Sequence, residues 1–361
     1  MKISTPGRIC LFGEHQDYLG LPTVAAAISR RISIEGSHRA DEQIIIHLPD
    51  INGQEIFTLS NASTYVKDRD YFRSTFNVLR RRGFVFSRGL ECEVHGNIPI
   101  NSGTSSSSAL IVSWANFLSR NADNPAVISS KELGEIANEA EVLEFGEPGG
   151  MMDHYSTAIG HVIYLESTPK IYVEALNPTL GTFVLGDSQQ PKDTLGILAR
   201  CRFGMEAIIK KVTEYDPSFS IFHTPFAQAT DYASLLSMDE LGLLKANLED
   251  RDLLVEGKKL LQKSATSTQE TNDIDVVFGQ LLYRHFQNLR DHKRTSTEKI
   301  NRMVEASIKA GALGGKINGS GGGGCMFMYA PNCAEEVADA IRREGGIPYI
   351  ITVDEGTKLE Q

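Results

Sequence analysis

The chain has 361 residues, 41% hydrophobic and 23% charged, with a formal net charge of −10. That is the profile of an ordinary globular protein long enough for about two domains with ample core. Its acidic balance argues against nucleic acid or an anionic membrane surface as the main partner, while leaving room for a local site that takes a small anion.

In chain order, MKISTPGR lacks the apolar core of a signal peptide, and no apolar run is long enough to cross a bilayer. The five cysteines (Cys10, Cys92, Cys201, Cys325, Cys333) are odd in number and scattered, with neither CxxC nor Cys/His ligand spacing. They suggest no disulfide framework and no structural zinc, and the expected setting is reducing and cytoplasmic. Residues 3–12 alternate loosely around Thr5-Pro6-Gly7-Arg8, which reads as a turn. Then comes Gly13-Glu14-His15-Gln16-Asp17-Tyr18-Leu19-Gly20, three ionisable residues within four positions directly after an apolar strand. Two carboxylates and an imidazole suit hydrogen bonding to a polyhydroxylated ligand; a solvated loop is the competing reading. Residues 24–28 are apolar again. Between 31 and 59 the runs Ile44-Ile45-Ile46 and Ile56-Phe57-Thr58-Leu59, punctuated by Pro49-Asp50 and Asn52-Gly53, predict strands joined by hairpins. Residues 71–82 have helical spacing and close on Arg80-Arg81-Arg82-Gly83, a solvated basic terminus with a glycine stop.

Residues 90–95 alternate like a half-buried strand, and 108–118 are apolar on nearly every side, like a buried helix. Between them lies IPINSGTSSSSAL, residues 98–110. The order is strand, small-residue loop, helix N-terminus. The first turn of a helix leaves N–H groups unpaired at its positive end, and small side chains let an anion come close. The stretch is a candidate phosphate cradle, with an ordinary serine-rich N-cap as the alternative. Ser129-Ser130-Lys131-Glu132 opens another helix, carrying Glu139, Glu141 and Glu144, acids for which a solvated face is the default. Residues 146–150 break it. Asp153, just past Gly149-Gly150, suits either a positioned catalytic carboxylate or the N-cap of a helix starting at His154.

Residues 161–165, 171–173 and 183–185 read as strands. Helical pattern covers 194–214 and much of 234–310, with a loop at 215–226 and a polar loop at 264–274. Late in the chain, Gly319, Gly321 and Gly324 form a literal GxGxxG. It precedes the strand-like Cys325-Met326-Phe327-Met328-Tyr329, so the dinucleotide fingerprint is not met. A loop whose backbone lies close to something, near the serine stretch, is the remaining reading.

Three segments together resemble the GHMP kinase superfamily, most closely its galactokinase branch: PGRICLFGEHQDYLG, then PINSGTSSSSA, then GGKINGSGGGGC. The resemblance spans nearly the whole chain. It implies an α+β, two-domain GHMP kinase fold, with a ribosomal protein S5 domain 2-like N-terminal domain over 1–180 and a ferredoxin-like C-terminal domain over 181–361. The active site would lie between them. It also implies ATP with Mg²⁺ and transfer of the γ-phosphoryl group to a small hydroxyl. No Walker A sequence is present, so an ordinary P-loop enzyme is not supported. Carried over residue by residue, Asp153 would face the acceptor hydroxyl with Arg8 beside it. Glu14, His15, Asp17 and Gly150 would line the sugar pocket. Asn101, Ser102, Gly103, Thr104, Ser105, Ser106 and Ser107, with Gly321 and Gly322, would wrap the nucleotide phosphates. Ser107 and Glu141 would hold Mg²⁺.

The chain departs from the galactokinase pattern in places. Gln16 replaces a threonine, Leu19 an asparagine, Asn101 a glycine and Ser108 an alanine. Galactokinases place a tyrosine of the second domain on the sugar; here the corresponding region, Leu195-Gly196-Ile197-Leu198-Ala199-Arg200-Cys201-Arg202, has none, and Leu198 aligns there. The implied activity is a cytoplasmic sugar 1-kinase, most simply for galactose, acting as a monomer or weak homo-oligomer on a small-molecule sugar, with no nucleic-acid or membrane partner. An amino sugar, a uronic acid or a mevalonate-type alcohol remains open as acceptor, as does a non-catalytic sugar and ATP sensor.

Overall fold

The computed structural model describes residues 1–100, 102–147, 149–192, 196–197, 199–266 and 271–360. Its first strand, β1 (Lys2–Phe12), is buried along nearly its whole length and pairs antiparallel with the long β2 (Thr23–His38). The turn expected at residues 5–8 is instead an irregularity inside this continuous strand, with register shifts between Pro6 and Arg8 and between Cys10 and Phe12. Pro6 has no N–H to give the ladder, and a bulge absorbs the misfit while re-aiming the next side chain, here that of Arg8.

The first half of β2 pairs with β6 (Val162–Glu166), which pairs in turn with β7 (Tyr172–Ala175). The second half of β2 pairs with β5 (Leu90–Gly96). Beyond β5 lie β3 (Gln43–Leu48), parallel to it, and β4 (Gly53–Thr58), joined to β3 by a hairpin at the expected Pro49–Asn52 turn. On the other side of β1 sits β12 (Lys358–Leu359), so the sheet runs β12-β1-β2-β5-β3-β4 with β6 and β7 branching from β2. Helices α1 (Tyr71–Arg81), α2 (Ser106–Asn121) and α3 (Ser130–Asn138) share one core with this sheet. Trp114 lies in that core with Phe72 and Phe117, next to Ile34, Ile46 and Leu90. After α3 comes a π-turn (Glu139–Leu143), then α4 (Met152–Ile159).

A second antiparallel sheet has the order β11 (Ile347–Ile351), β8 (Phe183–Asp187), β10 (Cys325–Tyr329), β9 (Gly314–Ile317). Around it run α5 (Gly204–Tyr215), α6 (Met238–Ser264), α7 (Thr271–Asp291), α8 (Glu298–Lys309) and α9 (Ala334–Arg343). The polar loop expected at 264–274 is shorter: helix reaches Ser264 and resumes at Thr271, and residues 267–270 lie outside the described residues. The two sheets are joined by apolar burial, since Phe12, Val24 and Ile28 share a core with Leu254, Phe278, Phe327 and Tyr329. Each such side chain withdrawn from water contributes about 1.5–3 kcal/mol, which holds the halves in one arrangement. The mixed architecture of two sheets and covering helices agrees with the two-domain α+β expectation. No helix among the described residues is long and apolar enough to cross a membrane.

Candidate active site

The serine stretch makes the expected link between β5 and α2. Ser105, the residue before the helix, adopts a left-handed conformation (φ 59°), and no side chain caps the helix. The first-turn N–H groups, where Ser106 and Ser107 stand, therefore have no side-chain capping partner, which is what an anion site requires. The loop's own hydroxyls go into its shape: Ser102 donates to Pro99 O at 2.7 Å and lies 3.0 Å from the Thr104 hydroxyl. Asn101 lies outside the described residues.

The glycine-rich loop between β9 and β10 interlocks with this turn. Gly103 has φ +90°, and a methyl there would lie 2.5 Å from Asn318 O; one at Gly319 would lie 2.9 Å from Gly103 Cα. Cys325 N donates to Ser102 O at 2.7 Å. Asn318 ties its own loop to two other segments, donating to Gly103 O (2.8 Å) of the serine turn and, on β1, donating to Arg8 O (3.3 Å) and accepting from Cys10 N (2.9 Å). Gly321 and Gly322 are held from the far side, with Gly322 N donating to Thr295 O at 2.7 Å. The two turns thus meet although more than two hundred residues of chain separate them.

Arg8 and Asp153 sit against the serine turn. Arg8 is 3% exposed, and its Nε and Nη2 contact Asp153 Oδ1 at 2.8 and 2.6 Å. Arg8 Nη1 donates to Gly103 O, and Arg8 N donates to Thr104 O. Asp153 lies inside the first turn of α4; Met151 is the N-cap, so the reading of Asp153 as a cap is wrong. From that position its carboxylate faces Arg8 across the serine turn. Burial pushes the Asp153 carboxyl up, but the Arg8 guanidinium and His154 together outweigh it and hold the group below the usual carboxylate range, so it stays ionised. At 34% its side chain remains reachable by a ligand.

The segment from Gly13 to Gly20, the expected sugar motif, is more buried than a solvated loop would be. Glu14 is closed off, its Oε2 accepting from Lys316 Nζ at 2.8 Å and from Gly319 N at 3.1 Å. His15 Nε2 lies 3.0 Å from Ser320 O, and Nδ1 3.0 Å from the Tyr18 hydroxyl. A carbonyl only accepts, so Nε2 carries the proton and Nδ1 accepts from Tyr18. Burial lowers the His15 pKa to about 4, which keeps the ring neutral. Gln16 is anchored on α6 through Asn247 O at 2.7 Å. Asp17 packs so closely on Gly150 that any side chain there would overlap its carboxylate. Burial, then Asp153 and Glu14, raise the Asp17 pKa to about 6.

Glu141 lies on the π-turn, a distortion that often marks functional sites. It is not on a solvated face. Its Oε2 accepts from the Ser108 hydroxyl (2.7 Å) and from His154 Nε2–H (2.8 Å). Burial pushes its pKa up, but His154 outweighs it with help from Ser107 and Ser108, so the carboxylate is held ionised. Hydroxyl and carboxylate oxygens are the hard donors that Mg²⁺ takes, so the Ser107–Glu141 set fits that ion. Leu198, aligned with the galactokinase tyrosine, lies outside the described residues.

Sequence reasoning missed Lys316, Asn318, His154 and Lys192. Lys316 and Asn318 stood inside a motif read only for its glycines, and His154 was weighed only as a helix start. Lys192 is half-buried, with its pKa lowered by burial and then by Arg8, and it also feels the Asp153 charge; nothing in its neighbourhood of sequence marks it.

Residues 2–38 match the galactokinase galactose-binding signature, 70–161 the GHMP kinases N terminal domain, and 276–347 the GHMP kinases C terminal domain. Mevalonate kinase of Thermococcus gammatolerans is 27% identical over 99% of this chain and 98% of its own length. Galactokinase of Thermotoga maritima is 28% identical over 97% and 96%. The crystal structure of Lactococcus lactis galactokinase complexed with galactose shares the fold, with a TM-score of 0.82 at 19% identity over 99% of this chain and 94% of that one. Ordered motifs, fold and family matches converge: the chain belongs to the GHMP kinases, and it carries the galactokinase galactose-binding signature.

Proposed function

We propose that this protein is an ATP-dependent sugar 1-kinase, with galactose the first acceptor to test. The observation that carries the reading is the Arg8–Asp153 pair, set against an uncapped helix N-terminus and reachable from the cleft. Ser102 to Ser107, with Asn101 from the resemblance, would wrap the phosphates, and Gly321 and Gly322 would close over them. Ser107 and Glu141 would hold Mg²⁺, which when bound offsets charge on the phosphate oxygens. Asp153, kept ionised by Arg8, accepts or orients the proton of the acceptor hydroxyl, while Arg8 steadies the charge that develops nearby. Asp17, beside Gly150, offers its carboxylate to sugar hydroxyls. Glu14 and His15 act from behind, holding the glycine-rich loop against the sugar motif. The division into residues 1–180 and 181–361 belongs to the same proposal.

A mevalonate-type alcohol is the second reading, favoured by the similarity to mevalonate kinases. Glu14 and His15, expected to line the sugar pocket, are spent on the glycine-rich loop, so support for a polyhydroxylated acceptor over an aliphatic acid rests on the Asp17 carboxylate beside Gly150 and on the galactose-binding signature. ADP release should be followed across a panel of hexoses, amino sugars, uronic acids and mevalonate, with and without Mg²⁺, and the phosphorylated position assigned by NMR. Mg²⁺-dependent turnover on a sugar, with the phosphate on the anomeric oxygen, is expected. Turnover on mevalonate alone would replace the sugar reading, and binding without turnover on any acceptor would make the protein a sensor.

A further inference from the structure

Behind the sugar motif lies a buried ionic cluster that the reaction itself does not use. Lys293 is fully buried just after α7, and its Nζ lies 2.8 Å from Asp250 Oδ2 of α6, also fully buried. Asn288 donates to the other Asp250 oxygen at 2.8 Å, so the carboxylate is held from two sides. Lys293 Nζ also donates to the backbone carbonyl of Glu14 at 3.2 Å. Its own carbonyl accepts from Arg200 Nε at 3.1 Å and from the Cys201 thiol at 3.4 Å. Two residues on, Thr295 O receives Gly322 N, and Thr297 donates to Gln190 Oε1 at 2.6 Å. The short connection between α7 and α8 therefore touches the sugar motif, the glycine-rich loop and the segment around residue 200. A buried ion pair is a poor source of stability, because desolvation consumes most of its attraction. Its retention here calls for another use, and the Glu14 carbonyl supplies one: a charged donor aimed at the backbone that carries Glu14, His15 and Asp17.

The geometry points to Lys293 as a positioning residue for the acceptor: braced by Asp250, it fixes the backbone of the sugar motif and so sets acceptor affinity without touching the acceptor. The inference rests on the sugar-kinase reading, and one experiment separates the two. In the full chain, Lys293→Met, Lys293→Arg and Asp250→Asn are compared with the parent for kcat, acceptor KM and ATP KM, using the best sugar of the panel. Lys293→Met is expected to raise acceptor KM about tenfold while ATP KM stays within about twofold, the loss expected for a charged hydrogen bond that orders one loop. Asp250→Asn should shift the same way, and Lys293→Arg, which keeps the charge and the donors, should recover part of the affinity. Nucleotide affinity without sugar, measured by calorimetry, should not move. Parallel changes in acceptor and ATP KM, or unchanged acceptor KM in both Lys293→Arg and Asp250→Asn, would overturn the positioning role. Absence of turnover by the parent on every sugar would instead remove the sugar-kinase reading. If Lys293→Met does not fold, the other two variants decide.

Discussion

Arg8–Asp153 and Arg81–Glu144 are both arginine–carboxylate pairs, in opposite surroundings. The first joins β1 to α4 beside the serine turn, with its arginine closed off from water. The second, with Arg82–Glu139 beside it, staples the end of α1 to the π-turn on the outside, where Arg81 is about half exposed. The triple arginine is therefore a solvated helix terminus, as its sequence suggested, though it has partners. Water screens the outer pairs and makes them nearly dispensable. Inside, each charge depends on its partner, so the buried pairs of the cleft fix where backbone and carboxylates stand. The contrast separates charges that shape a site from charges that decorate a surface.

The strongest way to break the contrast is Lys316→Met. It strands the Glu14 carboxylate in a dry setting and should cost about 3–5 kcal/mol in chemical denaturation; a loss no larger than that of a surface variant would mean that water reaches Glu14. Asp153→Asn should next lower kcat more than about a hundredfold with the fold intact by circular dichroism, and near-normal turnover would take Asp153 out of the chemistry. Glu141→Ala should raise the Mg²⁺ needed for half-maximal activity about tenfold, with an unchanged metal titration discrediting the assignment. Asp17 sharpens the picture through pH. Because its folded pKa is raised to about 6, the folded state binds the extra proton, and stability from this group declines as pH rises from 3.8 towards 6. Acceptor binding moves the other way, since the ionised carboxylate is the better hydrogen-bond acceptor. Acceptor KM should fall about threefold between about pH 5.5 and 6.5, and Asp17→Asn should flatten that profile. Smallest of all, Arg81→Ala should shift stability by no more than about 0.5 kcal/mol.

The legible parts of the molecule were those where local chemistry leaves few choices. The strands and helices followed apolar periodicity, and the meeting of the serine and glycine turns followed from small residues that only a close backbone approach explains. Less legible were lone charged residues on ordinary elements. Lys316 lies on a short buried strand and Asp250 in the middle of a long helix; their partners are 302 residues away for Lys316 and 43 positions along for Asp250. No local period records such pairings. The Thr5–Arg8 misreading has the same root: Pro and Gly together signal a turn, and only the neighbouring strands decide that the chain bulges and continues.

The flank of β1 has a consequence for biosynthesis. Residues 358–359 complete the sheet beside Ile3 and Ser4, and Arg31 clasps the preceding segment through Asp354 and the Gly356 carbonyl. The strand that carries Arg8 thus gains its second neighbour, beside Ile3 and Ser4, from a segment translated more than three hundred codons later. Premature termination ahead of residue 354 would leave all three motifs intact on paper while stripping the start of the first strand of one of its two neighbours, so a nascent polypeptide closes this edge only once the late segment has cleared the ribosome.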